Sequence, residues 1–147
     1  MSLFSGFEIS GSALTAERLR MDIIANNIAN VNTTRTAGGG PYKKQMPVFE
    51  AKPPAFADFI AQSRGQYQGV GQGVRVVGIV EDPAEPRRVF EPGHPDADRD
   101  GYVRYPNINI VAEMVDLISA TRAYEANVTA INEGKAMMQR ALDIGRV

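Results

Sequence analysis

Residues 110–142 read IVAEMVDLISATRAYEANVTAINEGKAMMQRAL, and their spacing decides the fold. Ile110, Leu117, Tyr124, Ile131 and Met138 recur at every seventh position, with Met114, Val128 and Leu142 as a second, interrupted row. A seven-residue apolar repeat is the pattern of a helix that packs lengthwise along a partner. Asn107 or Asn109 is placed to cap this helix. Glu113 and Asp116 fall early and Lys135 and Arg140 late, as the helix dipole favours. At 1.5 Å per residue it runs roughly 50 Å. That is longer than the core a chain of 147 residues wraps around one helix.

A partner is written at the other end of the chain. Phe7, Leu14, Met21 and Ile28 also recur at sevens, Ile24 and Val31 follow three residues after the last two, and Ser5 with Glu8 has capping-box spacing. The pattern predicts a helix from Ser5 to Val31. Within it, residues 23–32 read IIANNIANVN, with four asparagines in ten residues. Asparagine is a mediocre helix former because its amide competes for backbone groups. Such a cluster implies a use for the amides.

All nine prolines lie between Pro41 and Pro106, so both ends are free to be helical and the middle is not. In the middle, GVRVVGIVED from Gly73 reads as a strand, with RRVFEP and DGYVRYP as its partners. Phe56, Phe59 and Ile60 suggest a short helical turn, and TRTAGGGPYKK reads as a flexible joint by composition. The expected fold is α+β: long N- and C-terminal helices paired as a coiled-coil-like rod domain, with a small β-rich insert. The segments are an N-terminal helix over 1–35, linker and insert over 36–106, and a C-terminal helix over 107–147.

One seam between two helices cannot cover Ile9, Leu19, Ile23, Val111, Val115, Ile118 and Met137 as well. Either further helices cover them, or the central part does so as an intramolecular core. The small residues Gly11, Ala13, Ala16, Ala25 and Ala29 suit close approach by other helices.

Composition excludes several functions. With 16 basic and 17 acidic residues there is no basic stripe for nucleic acid. No apolar run is long enough to enter a membrane, and MSLFSGFEISGSAL lacks the layout of a cleaved secretory signal. The absence of cysteine removes thiol chemistry and leaves the compartment open. Chemistry-bearing motifs are sparse, and neither a cofactor site nor a catalytic set is expected. Asp96, Asp98, Asp100 and Gly101 match the opening of a calcium loop. Its twelfth position is Asn107, where a bidentate glutamate belongs, and EPGHP cannot form the entering helix, so an acidic turn between extended segments fits better. His94, the single histidine, sits in a Gly-His-Pro turn. GVGQG at 69–73 lacks both the spacing and the following helix of a phosphate loop.

The stretch ISGSALTAERLRMDIIANNIANVNTT resembles the shared amino-terminal signature of the bacterial flagellar rod and hook proteins, with its ANNIAN-type core. NINIVAEMVDLISATRAYEANVTAINEGKAMMQRALDI resembles their carboxyl-terminal segment, with RAYEAN at Arg122 to Asn127. EDPAEPRRVFEPGHPDADRDGYVRYPNIN is similar to the stretch that sets proximal-rod members apart from their longer distal-rod and hook relatives. The resemblance implies a structural subunit, not an enzyme. Such subunits polymerise through their terminal helices into a hollow shaft that transmits torque, with the middle part as an outer layer. It further implies partners: copies of the chain, other rod proteins, the rod-to-membrane-ring junction protein and the flagellar type III export apparatus. The implied location is the basal body, in the periplasm, reached without a cleaved signal.

Under that resemblance the expected subunit-interface residues are Leu14, Met21, Asn26, Asn27, Ile28, Asn30, Ile110, Leu117, Arg122, Tyr124, Ile131 and Met138. The asparagine amides then specify axial register between subunits. The local alternative has Asn30 or Asn32 ending the helix and the others solvated. Tyr124 is core or contact, and Arg122 bridges subunits or is solvated. The competing functions are a monomeric calcium-binding module and a helical-hairpin adaptor.

Overall fold

The computed structural model describes residues 3–53 and 71–145. The expected turn of helix about Phe56, Phe59 and Ile60 lies outside them, as do the first two residues of GVGQG. Among the described residues, six elements follow in order: α1 (Leu3–Ala29), β1 (Gln45–Ala51), β2 (Val74–Glu81), β3 (Arg87–Phe90), β4 (Tyr102–Tyr105) and α2 (Ile110–Ile144). The two terminal helices with a small β insert between them are the α+β arrangement that the heptad rows predict.

Helix α2 starts where the sequence places it. The Asn109 side-chain oxygen accepts from the Val111 and Ala112 amides at 3.0 and 3.3 Å, so Asn109 rather than Asn107 is the cap. Helix α1 starts within a turn of the expected position, at Leu3, so Ser5 lies inside it and not at the cap position a capping box requires. The helix ends at Ala29, where the Asn26 carbonyl accepts both the Asn30 backbone amide at 3.1 Å and the Asn30 side-chain amide at 2.9 Å.

Among its described residues the insert holds two separate two-stranded sheets. Strand β2 pairs with β1, whose sequence QMPVFEA has no clean alternation and holds a proline, so hydrophobic spacing does not mark it as a strand. Lys52 donates to Gly73 at one end of this ribbon and Asp82 to Lys44 at the other, which makes it antiparallel. Strands β3 and β4 pair antiparallel with each other, Val89 opposite Val103, and not with β2 as anticipated. The two short strands close on each other because the loop between them, residues 91–101, is internally bonded. The Asp98 carboxylate accepts from the Asp100 and Tyr102 amides at 3.0 and 2.9 Å, and Gly101 takes φ of +81°. The segment expected to be a flexible joint is likewise a bonded turn: Thr36 donates to Gly40, Gly39 to Thr36 and Tyr42 to Thr33.

The chain forms two compact units. The first draws its described residues from Met1–Arg18, Phe49–Val77 and Thr121–Val147, and the second from Leu19–Val48 and Gly78–Ala120. In the first, Ser12 Oγ accepts from the Val74 amide at 3.1 Å and the Phe7 ring lies against Gly134. In the second, Arg20 meets Asp116 at 4.0 Å while Asn27 meets Glu113 at 3.1 Å, so the two helical segments there run antiparallel.

The seam differs from the predicted rows. Among the described residues the buried positions on α1 are Ala16, Ile23, Ile24 and Asn27, and on α2 they are Glu113, Ala120 and Gly134. Ile23 is therefore core, not surplus. Leu117, Tyr124, Ile131 and Met138 are half-buried and Ile110 is exposed; Leu14, Met21 and Ile28 are half-buried. At Gly134 the space a side chain would take is filled by the Phe7 ring.

Candidate functional site

The second unit contains a buried polar cluster built around Asn27. Helical periodicity places Asn27 on the same inward face as Ile23 and Ile24, and Glu113 on the inward face of α2 one turn after its cap. Both are 1% exposed. Burial without partners is costly for an amide and more so for a carboxylate, and each has partners.

The Asn27 Nδ2 donates to the Gln45 carbonyl at 2.9 Å and to Glu113 Oε2 at 3.1 Å. Its Oδ1 accepts from the Gln45 amide at 2.9 Å and from the Tyr42 hydroxyl at 3.1 Å. One side chain thus pairs with the backbone of Gln45 as a neighbouring strand does, and so fixes where β1 begins. The Lys44 ammonium lies 2.6 Å from Glu113 Oε1. The Asn26 amide donates to the Tyr42 hydroxyl at 3.3 Å, and burial, with Glu113 and Glu81 nearby, raises the Tyr42 pKa above 10.0. Asn30 donates to both the carbonyl and the side-chain oxygen of Asn26, at 2.9 Å each.

The asparagines therefore find partners within the chain, a use the spacing posed as a question but did not answer. The partners of Asn27 are 15, 18 and 86 residues away in sequence, and no local signal points to them. Lys44, Tyr42 and Gln45 were absent from the expected site for the same reason.

The calcium-like carboxylates have other duties. Asp96 accepts from the Thr34 hydroxyl at 2.8 Å, and Asp98 accepts from two backbone amides and from Arg88 at 3.3 Å. Those amides of Tyr102 and Asp100, with Arg88, hold the Asp98 carboxyl below the usual range. The His94 Nδ1 accepts from the Asp96 amide at 3.1 Å, a turn role. Among the described residues, no three or more acidic or histidine side chains group to hold a metal ion, and no helix is long and apolar enough to cross a membrane.

Outside the cluster, α2 leaves Val111, Met114, Val115 and Ile118 exposed, at 70, 53, 60 and 54%. They fall at i, i+3, i+4 and i+7 and make one stripe over two turns. Arg122 continues that face, also exposed. A helix with a sealed polar inner contact and a bare apolar outer stripe is the architecture of an assembling structural subunit.

Two family models match the chain at its ends. Flagella basal body rod protein covers residues 7–35, and Flagellar basal body rod FlgEFG protein C-terminal covers residues 99–144. A flagellar basal-body rod protein FlgC of Borreliella burgdorferi is 46% identical, over 98% of each chain. Those of Bacillus subtilis and Salmonella typhimurium are 41% and 38% identical, each over 99% of this chain and all of the relative. The chain belongs to the FlgC family of flagellar basal-body rod proteins. Its role is that of a structural subunit of the basal-body rod.

Proposed function

We propose that the chain builds the proximal rod by polymerising through its two terminal helices into a hollow shaft that carries torque, and that it has no catalytic activity. The observation that carries this reading is the stripe of Val111, Met114, Val115 and Ile118, four large apolar side chains more than half exposed on one helix face. Its occupant is a helix of another copy of the chain, which buries an apolar row without exposing polar backbone. The helical segments 1–35 and 107–147 form the shaft and 36–106 its outer part. Leu14, Met21, Ile28, Leu117, Tyr124, Ile131 and Met138, half-buried along the helices, and the exposed Ile110, Arg122 and Asn26 extend the contact. Asn27 and Asn30 act on it by fixing their own helix end. The remaining partners are other rod proteins, the rod-to-membrane-ring junction protein and the type III export apparatus. The setting is periplasmic, reached without a cleaved signal.

The test replaces the native copy in motile cells with a chain carrying Val115→Glu and Ile118→Glu. Purified, it should keep the helical content of the parent; in cells, it should yield no basal bodies that carry a rod, and no swimming. Normal rods from this chain would refute the contact face.

A further inference from the structure

Helix α2 has two faces suited to pairing with α1. One carries Glu113, Ala120, Asn127 and Gly134 at intervals of seven; the other, about half a turn away at 3.6 residues per turn, carries Val111, Val115 and Ile118. Apolar burial alone favours the second face inward. The structure has the opposite arrangement: Glu113 and Ala120 are 1% and 0% exposed, while the apolar trio is 54 to 70% exposed. The polar cluster supplies the reason. Asn27, itself buried, offers Glu113 an amide hydrogen at 3.1 Å, and Lys44 offers an ammonium at 2.6 Å. Turning α2 over would leave a buried amide hydrogen and a largely buried ammonium without their acceptor, and close the trio over α1.

We propose that Asn27, Lys44 and Glu113 select the rotational setting of α2 against α1, and thereby hold Val111, Val115 and Ile118 outward for another copy of the chain. These are positioning residues. They face inward and do not meet the partner, yet they decide which face is presented. The benefit to assembly rests on the contact face proposed above, whereas the rotational setting does not. Buried polar groups that fix register at a cost in stability are known in helical pairs. Here the register is set within one chain so that an interface between chains stays available.

The experiment uses the full chain, which has no cysteine of its own. Single reporters Val115→Cys and Ala120→Cys are labelled with a thiol reagent in dilute solution, in three backgrounds: the parent, Glu113→Gln, and Lys44→Met with Glu113→Leu. The parent should label position 115 faster than position 120 by on the order of tenfold or more, as local protection requires. Glu113→Gln, isosteric and still polar, should keep most of that contrast. The apolar pair should keep its helicity and lose or invert the contrast. Equal rates in the parent, an apolar pair that retains the contrast, or an apolar pair that loses its helicity would each overturn the proposal. Because the readout needs no assembly, its failure is separable from failure of the contact face, which the basal-body experiment reports.

Discussion

The Lys44 ammonium and the Glu113 carboxylate, 69 residues apart in sequence, meet at 2.6 Å with the carboxylate side chain 1% exposed. Breaking a buried pair on one side leaves an uncompensated charge, whereas removing both charges leaves an apolar contact. Lys44→Met alone should therefore cost about 3 kcal/mol of unfolding free energy in urea titration, and Lys44→Met with Glu113→Leu less, about 1–2 kcal/mol, set by the Asn27 amide hydrogen that loses its acceptor. Equal losses in the two variants would show that the pair acts through its shape and not its charge.

Asn27 makes four hydrogen bonds from one amide. Asn27→Ala strands the backbone of Gln45 and should cost about 2–3 kcal/mol. Asn27→Asp should cost more than Asn27→Ala, since it cannot donate to the Gln45 carbonyl and sets a second carboxylate beside Glu113. Asn30→Ala, which removes local contacts to Asn26 and Thr33 at the helix end, should cost about 1 kcal/mol. Chemical denaturation of the three variants orders them.

Gly101 is required in the β3–β4 turn twice over. Its φ of +81° is unfavourable for a side chain, and a Cβ there would stand 2.9 Å from Phe90 Cε2. Gly101→Ala should cost about 1–3 kcal/mol and loosen the Phe90–Tyr102 edge contact, whose centroids are 5.3 Å apart. Loss of the ring-current shifts of these two rings in proton spectra checks it. Gly134→Ala is a contrast, because about 1 kcal/mol of helix propensity offsets the crowding against Phe7, leaving a net change of under about 2 kcal/mol.

Two titrations bracket the stable range. The Asp98 pKa is lowered in the folded chain, so its contribution is present above the ordinary value of 3.8 and is lost as pH falls through the folded value. Tyr42 is raised, so the fold favours the neutral phenol: its contribution is intact below 10.0 and is lost as pH rises through the folded value. Stability should thus fall at both extremes. Asp98→Asn should flatten the acid limb, and Tyr42→Phe the alkaline limb, in denaturation midpoints measured across pH.

The two helices were legible because Ile110, Leu117, Tyr124, Ile131 and Met138 repeat over many turns, and Asn109 sits at the cap. The inner seam was not. Its buried members on α2, Glu113, Ala120 and Gly134, are polar or small, and hydrophobic spacing gives such residues no weight although close-packed helices prefer them. Strand β2 could be read from alternating branched residues, whereas β1 could not, because Pro47 and a mixed pattern mask it. The asparagine run signalled that amides were in use. It could not tell that Gln45 and Glu113 use them, since those contacts depend on tertiary closure.

The Phe7 ring against Gly134 has a mechanical meaning. A Cβ at that point would come within 3.0 Å of Phe7 Cζ, so the ring occupies a notch that only a missing side chain creates, like a key in a slotted shaft. Sliding one helical segment lengthwise past the other would drive the ring into the side chains on either side of the notch. Repulsion between close-packed atoms rises steeply with compression, so this contact stiffens as load grows while a stretched hydrogen bond weakens. A subunit keyed in this way yields little at small strains, and at larger strains it must lift the ring clear before it can slip.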